Sequence, residues 1–312
     1  MIAALAAIIP ATSCSGSDEE TGVVQEPVPI SLTVAVVDGP EATRAVGNGV
    51  QGGLLSQHSM FYTFFPTGVT IGRTTAPCGT AFTNHVTNTL PDHQPYFNDN
   101  VTETVVHAYY PYLTDGKQVT NATTSFSVET DQSTSEGYHA SDLMYATATV
   151  QKATPSAELA FNHQLSRIIV KLTAGGIVDV PVNVKLNNTM TTAAISNGRL
   201  TATPQLSNKA SINIGTVAVN GEDSYLSAIV IPQTLAAGNI FMTITLEGIG
   251  SYVYQIPQGG MTFKSGESYT YSLMLSTGQI RLLSTSIAPW YGEGEGEKEG
   301  HVIDERDNPL TF

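Results

Sequence analysis

The sequence predicts an all-β protein built from two β-sandwich domains, and three observations support this prediction. Charged residues make up only 13% of the chain, a composition that favours half-buried strands over long surface helices. Strand-like runs recur at short spacing between turn residues, and no window holds an apolar stripe of helical period for more than two turns. The chain has 312 residues, more than a usual single domain of about 100 to 200 residues.

An apolar run opens the chain. Residues 2–9 (IAALAAII) are too few for the ~20 apolar residues that span a bilayer, but they match the apolar region of a secretory signal peptide. Small residues and then Cys14 follow, an order that resembles the lipobox of bacterial lipoproteins. We therefore expect residues 1–13 to be a signal peptide, Cys14 to carry lipid and the chain to be exported.

Residues 14–29 are expected to form a tether. They are rich in Ser, Gly, Asp, Glu and Pro, and such a segment buries too little apolar surface to order itself. The acidic cluster behind Cys14 either resembles an export signal to the outer face of the outer membrane or is a soluble linker. The only other cysteine is Cys78, which we expect to be unreactive. The alternatives to lipidation are a disulfide between the two cysteines or two unrelated thiols.

The first strand is predicted at residues 30–37. Large apolar side chains alternate along it and share one face, at Ile30, Leu32, Val34 and Val36. The strand stops at the turn signature 38–40 (DGP). Burial of four such side chains contributes roughly 6 to 12 kcal/mol, comparable with the net stability of a domain. A protein that lost this strand would keep an apolar groove and an unpaired edge, a template for a strand from another chain.

Arg44 is the first basic residue of the chain and stands just beyond that turn. Six acidic residues lie between Cys14 and Arg44, so a trypsin-like protease that reads from the N-terminus meets its first target there. A cut after Arg44 separates the first strand from everything downstream. The alternative is an ordinary arginine in an exposed loop.

A resemblance to a known family rests on six segments, which are HAYYPY (107–112), SDLMYA (141–146), LAFNHQLSRIIVKL (159–172), IVIPQTL (229–235), SGESYTYSLML (265–275) and SIAPW (286–290). In this order they resemble the fimbrillin-like family of type V pilus subunits. The resemblance implies two transthyretin-like, Greek-key β-sandwich domains in tandem, export as a lipoprotein and assembly at the outer cell surface. It also implies a structural subunit of a fimbrium, in the shaft or at the tip, that supports cell adhesion.

In that family an arginine-specific protease removes the first strand, and a strand from a neighbouring subunit then fills the groove. The segment TRAVG (43–47) matches the family's cleavage site and places the cut between Arg44 and Ala45. The implied partners are other pilus subunits, the protease, the outer membrane through lipid on Cys14, and a host protein or glycan. A monomeric surface lipoprotein that binds glycans is the alternative function.

We predict an N-terminal sandwich at residues 30–153, with 30–44 as its removable part, and a C-terminal sandwich at 154–290. The polar stretch QKATPSA (151–157) supports this boundary. Residues 291–312 carry seven acidic and two basic side chains and are expected to be a flexible tail. Their last part, 301–312, is a poor donor strand because few apolar residues alternate in it, and 279–287 (QIRLLSTSI) is a better one. Shaft subunits of the fimbrillin-like family donate a C-terminal strand, so this departure argues against a shaft role and keeps a tip or accessory role open.

No cofactor, metal site or enzymatic activity is predicted. The formal net charge of −14 argues against nucleic acid as a partner, because a polyanion is repelled. The seven histidines show no metal-ligand spacing, and no nucleophile elbow or phosphate-binding loop is present. His163 is expected to be a hydrogen-bonded histidine inside a sandwich. The aromatic residues around 61–65 and 107–112 are expected to be core side chains rather than a sugar-binding platform.

Overall fold

The computed structural model describes residues 26–36, 60–83, 94–113, 117–176, 180–201, 205–276, 279–290, 301–304 and 308–309. Within these ranges 63% of the residues lie in strands and 3% in helix, so the predicted all-β fold is confirmed. The helix of this part of the chain is α1 (Ser135–Ala140), which begins after Thr134, whose side chain accepts a hydrogen bond from the Gly137 amide. No helix in the described ranges is long and apolar enough to cross a membrane.

The strands of the first half alternate with turns at short spacing, as the sequence pattern indicates. They are β1 (Ser31–Val36), β2 (Met60–Phe65), β3 (Val69–Ile71), β4 (Thr74–Thr75), β5 (Cys78–Thr83), β6 (Pro95–Phe97), β7 (Glu103–Tyr110), β8 (Ser125–Ser127), β9 (Met144–Gln151) and β10 (Ser156–His163). The remaining strands are longer on average. They are β11 (Ser166–Ala174), β12 (Pro181–Ser196), β13 (Arg199–Leu200), β14 (Leu206–Ala218), β15 (Ser224–Val230), β16 (Thr234–Leu235), β17 (Ile240–Leu246), β18 (Gly250–Gln255), β19 (Met261–Thr262), β20 (Glu267–Ser276), β21 (Gln279–Pro289), β22 (His301–Asp304) and β23 (Asn308–Pro309).

A six-stranded sheet and a three-stranded sheet build the N-terminal half. The larger has the order β1-β10-β9-β7-β2-β5, and the smaller has the order β4-β3-β6. The pairing of β1 with β10 is parallel, whereas the other pairs of the large sheet are antiparallel. One cluster of buried side chains joins the two sheets and includes Leu32, Phe61, Val69, Phe97 and Phe161. Period-two alternation along these strands supplies that shared core.

The C-terminal half has a second core between two six-stranded sheets. One sheet has the order β15-β11-β20-β21-β22, with β23 also on β21. The other has the order β13-β12-β17-β18, and β12 also pairs with β14 and β8. The short strands β16 and β19 pair separately. The buried side chains of this half form one cluster that includes Ile168, Val184, Ile244 and Tyr271.

The predicted domain boundary at residues 153/154 requires a correction. It would divide β9 from β10, which are neighbours in one sheet. In the other direction, β8 pairs with β12, and Phe126 and Val128 belong to the C-terminal core. The chain passes from the sheets of the N-terminal half to those of the C-terminal half at Gln164, between β10 and β11. The polar stretch 151–157 is a hairpin turn within the first sheet, and polarity alone does not distinguish such a turn from a linker.

The prediction of a flexible tail at 291–312 does not hold for two segments. The backbone of β22 pairs with β21 around Ser286, and β23 pairs with it at Arg281 and Leu282.

Residues 279–287, which the sequence favours as a donor strand, are already paired within this chain. They lie in β21, which pairs with β20 from Ser276 to Glu267 and buries Ile280 in the C-terminal core.

Candidate functional site

The first strand lies at the edge of the large sheet with its apolar face in the core. Ile30 and Leu32 are 0% exposed and Val34 is 3% exposed, whereas Thr33 between them is exposed. The predicted burial of these three side chains is therefore observed. Val36 ends β1, and its side chain lies outside the described residues. Among the strands that the structure describes, β1 has a neighbour on one side only, so its departure would not divide the sheet.

The segment that contains β1 changes from one sheet of the sandwich to the other. Its start pairs with β6, since the Phe97 amide donates to the Val28 carbonyl at 3.0 Å and Pro29 forms a bridge with Tyr96. From Ser31 onward it pairs with β10, and the Ser31 amide donates to Pro155 at 2.8 Å. The segment thus closes the open edge between the two sheets, and removing it would expose backbone groups of both.

Ile30 is the residue at which this change occurs. Its amide donates to the Pro95 carbonyl at 3.0 Å, and its carbonyl accepts a hydrogen bond of 2.9 Å from Nε2 of Gln94. The same Nε2 also donates to the Pro95 carbonyl at 3.1 Å, and the Gln94 side chain is buried. The sequence analysis did not identify Gln94. No local pattern marks it, because its contact joins residues that are distant in the sequence.

Burial gives an order of magnitude for what holds the strand. Three aliphatic side chains at ~1.5 to 3 kcal/mol each contribute roughly 4 to 9 kcal/mol, before the cost of ordering the segment. In the part of the chain that the structure describes, the strand is held to the body by packing and hydrogen bonds, and Cys78 of the same core is a free cysteine. Burial raises the pKa of the Cys78 thiol, which keeps it protonated and agrees with its expected low reactivity.

Three residues of the predicted site lie outside the described residues. They are the lipidation site Cys14 and the two residues that flank the predicted cut, Arg44 and Ala45. Their roles stay predictions from the sequence. The described end of β1 at Val36 precedes Arg44 by eight residues in the sequence.

A second cluster of buried polar groups surrounds His163. Its Nδ1 lies 2.8 Å from Oδ1 of Asp142, and both side chains are buried. Its ring stacks on Trp290, and the Arg167 guanidinium carbon lies 5.6 Å from the centroid of the Trp290 ring. Arg167 Nε donates to Ser268 Oγ at 3.1 Å. His163 is hydrogen-bonded in the interior, as predicted, and almost none of its imidazole is open to solvent.

Four aromatic residues of the segments 61–65 and 107–112 belong to the core. Phe61, Phe65, Tyr109 and Tyr110 are each fully buried, so these four rings do not form a surface for stacking a sugar. Among the residues that the structure describes, no group of three His, Cys, Asp or Glu side chains is placed to hold a metal ion.

Comparison with known proteins agrees with this architecture. A crystal structure of a proposed cell adhesion protein from Bacteroides uniformis is 19% identical, covers 85% of this chain and 99% of its own, and has a TM-score of 0.60. A second such protein, from Bacteroides ovatus, is 20% identical over 86% of this chain and 99% of its own, with a TM-score of 0.59. No curated protein matches the sequence. At these identities the structures demonstrate a shared fold.

The family comparison extends over most of the chain and includes all six sequence segments that carried the resemblance. The model of the fimbrillin-like family matches residues 43–290. This range begins just before Arg44 and ends at Trp290. The chain therefore belongs to the fimbrillin-like family.

Proposed function

We propose that this protein is a fimbrium subunit that accepts a strand from a neighbouring subunit after its own first strand is released. The observation that carries the proposal is that Ile30, Leu32 and Val34 are buried on an edge strand. Membership of the fimbrillin-like family supports it, and so does the likeness to proposed cell adhesion proteins. The proposal places the precursor at the outer membrane, anchored through lipid on Cys14, and the mature subunit in a fimbrium that supports adhesion to a host protein or glycan.

Covalent linkage explains why a protease would control the exchange. While β1 belongs to the same chain as its groove, its effective concentration is in the millimolar range or above, so a strand from another subunit cannot compete. A cut between Arg44 and Ala45 leaves β1 bound by packing and hydrogen bonds alone. Once it dissociates, it is diluted into the bulk, and a strand supplied by a neighbouring subunit takes its place.

The incoming strand has to satisfy the groove that β1 fills. It needs large aliphatic side chains at alternate positions. Its backbone also has to pair with the backbone groups of β10 and β6 that β1 occupies. The chain's own residues 301–312 show little such alternation. The partner in this proposal is therefore a different pilus subunit or another segment of a second copy, and the proposal covers a subunit in the shaft, at the tip or in an accessory position.

Proteolysis of the purified full-length protein tests this function. An arginine-specific protease should produce a new N-terminus at Ala45, and the product should form oligomers with other cleaved subunits by size-exclusion chromatography. Arg44→Ala should block both results, whereas Arg73→Ala, at an exposed position after β3, should block neither. A different N-terminus, or a cleaved product that stays monomeric with partner subunits, would contradict the proposal.

A further inference from the structure

Gln94 lies at the point where the segment that contains β1 passes from the small sheet to the large one. Both backbone groups of Ile30 are bound there, the amide by Pro95 and the carbonyl by the Gln94 carboxamide. The next residue, Ser31, already pairs with the β10 side of the groove. A buried side chain that is far away in the sequence thus holds one particular carbonyl of the strand.

Packing alone does not determine the position of a strand in this groove. Side chains alternate with a period of two, so a slip by two residues keeps the apolar face inward, and Leu32 would then occupy the site of Ile30. A two-residue slip also preserves the pattern of backbone donors along β10. The Gln94 carboxamide donates to whichever backbone carbonyl lies at the start of the groove, so it adds a fixed point of attachment there without selecting one residue of the strand.

We infer that Gln94 is a positioning residue that anchors whichever strand fills the groove, by donating from its carboxamide to the carbonyl of the residue at which the strand changes sheets. For an incoming strand this inference rests on the proposed function. The contact recognises backbone and not side chain, so it suits partners of different sequence. The class of partner is an extended segment with large aliphatic side chains at that residue and at the second and fourth residues after it.

The carboxamide is held in place independently of the strand. Its Nε2 also donates to the Pro95 carbonyl, within β6 itself. That contact does not depend on β1, so it keeps the donor oriented when the groove is empty. A donor fixed in advance reduces the entropy cost of capturing a strand.

Hydrogen exchange on the intact chain tests the inference without any cleavage. Gln94→Met removes the donor and keeps a side chain of similar length, and it should accelerate exchange of the Ile30 to Val34 amides about ten-fold. Gln151→Met changes an exposed glutamine of the same sandwich and should leave these amides unchanged. Equal protection in the Gln94→Met variant and the unmodified protein would overturn the inference.

Gln94→Glu supplies a readout that a loss of packing would not produce. A neutral carboxyl group donates to the Ile30 carbonyl, whereas a carboxylate only accepts and is repelled by it. Protection factors of the strand in this variant should therefore be low at pH 7 and should return as the pH falls through the pKa of the introduced carboxyl. Flat protection factors across this range would count against Gln94, and the return of protection shows that the variant still folds.

A third measurement follows the strand after cleavage. In protein cut by the arginine-specific protease, a synthetic peptide of residues 27–37 should dissociate about ten-fold faster from the Gln94→Met variant than from the unmodified groove. If the unmodified cleaved protein neither releases its strand nor takes up the peptide, the proposed function fails. The two exchange experiments on the intact chain still decide whether Gln94 positions the strand.

Discussion

His163 lies flat against Trp290, with ring centroids 3.7 Å apart and ring planes inclined by 10°. His163 ends β10, the strand that pairs with β1, and Trp290 follows β21 of the C-terminal half. The backbone continues the contact, because the Trp290 amide donates to the Gly266 carbonyl and the Gly266 amide donates to Leu165. The wall of the strand groove is thus joined to the second core at the end of β10.

Removal of His163 from its buried pair with Asp142 should strongly lower the stability of the protein. His163→Phe keeps an aromatic ring against Trp290 but leaves the buried Asp142 carboxyl without the imidazole partner at 2.8 Å. Loss of one member of a buried pair costs about 3 to 5 kcal/mol of the free energy of unfolding. Asp142→Asn keeps an acceptor oxygen and should cost less. Urea unfolding measures both variants, and a cost below about 1 kcal/mol for His163→Phe would contradict this reading of the junction.

Gly198 should not tolerate alanine. It lies in the turn between β12 and β13 with φ at +72°, and a Cβ there would lie 2.0 Å from Cε1 of the buried Tyr109 ring. Gly248 has φ at +73° and no atom within 4 Å of such a Cβ, so Gly248→Ala measures the backbone strain alone. We expect Gly198→Ala to lower the free energy of unfolding by about 1 to 3 kcal/mol more than Gly248→Ala. Equal losses in the two variants would show that this contact between the halves is loose.

Burial of the Leu32 side chain should be a main contribution to holding β1 on the large sheet. Leu32→Ala removes a fully buried side chain and should lower the free energy of unfolding by about 2 to 5 kcal/mol. Thr33→Ala alters the exposed face of the same strand and should stay within about 0.5 kcal/mol of the unmodified protein. Denaturant unfolding of the two variants compares the faces directly. Similar losses would mean that β1 is not held by its apolar side.

Asp131 should contribute to the loss of stability in acid. The Ser133 hydroxyl and amide, and then the Asn213 side chain, donate to its carboxylate and lower its pKa. A lowered pKa in the folded state means a stabilisation that is complete above the unfolded value of about 3.9 and is lost as the pH falls through the folded value. Asp131→Asn should therefore flatten the decline of the melting temperature below about pH 4. An unchanged acid slope would contradict this assignment.

Some features of the site were predictable from local pattern. The alternation at 30–37 predicted a strand with one buried face, and the structure places β1 at Ser31–Val36 with Ile30, Leu32 and Val34 in the core. His163 was expected to be a hydrogen-bonded interior residue, which it is. In each case, the prediction used only the order of polar and apolar residues or the absence of a catalytic motif.

The sequence by itself determined the all-β character, the apolar face of the first strand and the family, because period-two alternation and motif order are local properties of the chain. Tertiary structure alone decided that β1 runs parallel to β10, that Gln94 holds the Ile30 carbonyl, and that the sheets change over at Gln164. These features depend on which distant segments pair. Strand pairing is a choice among many edges of similar polarity, and only packing of the whole chain resolves it.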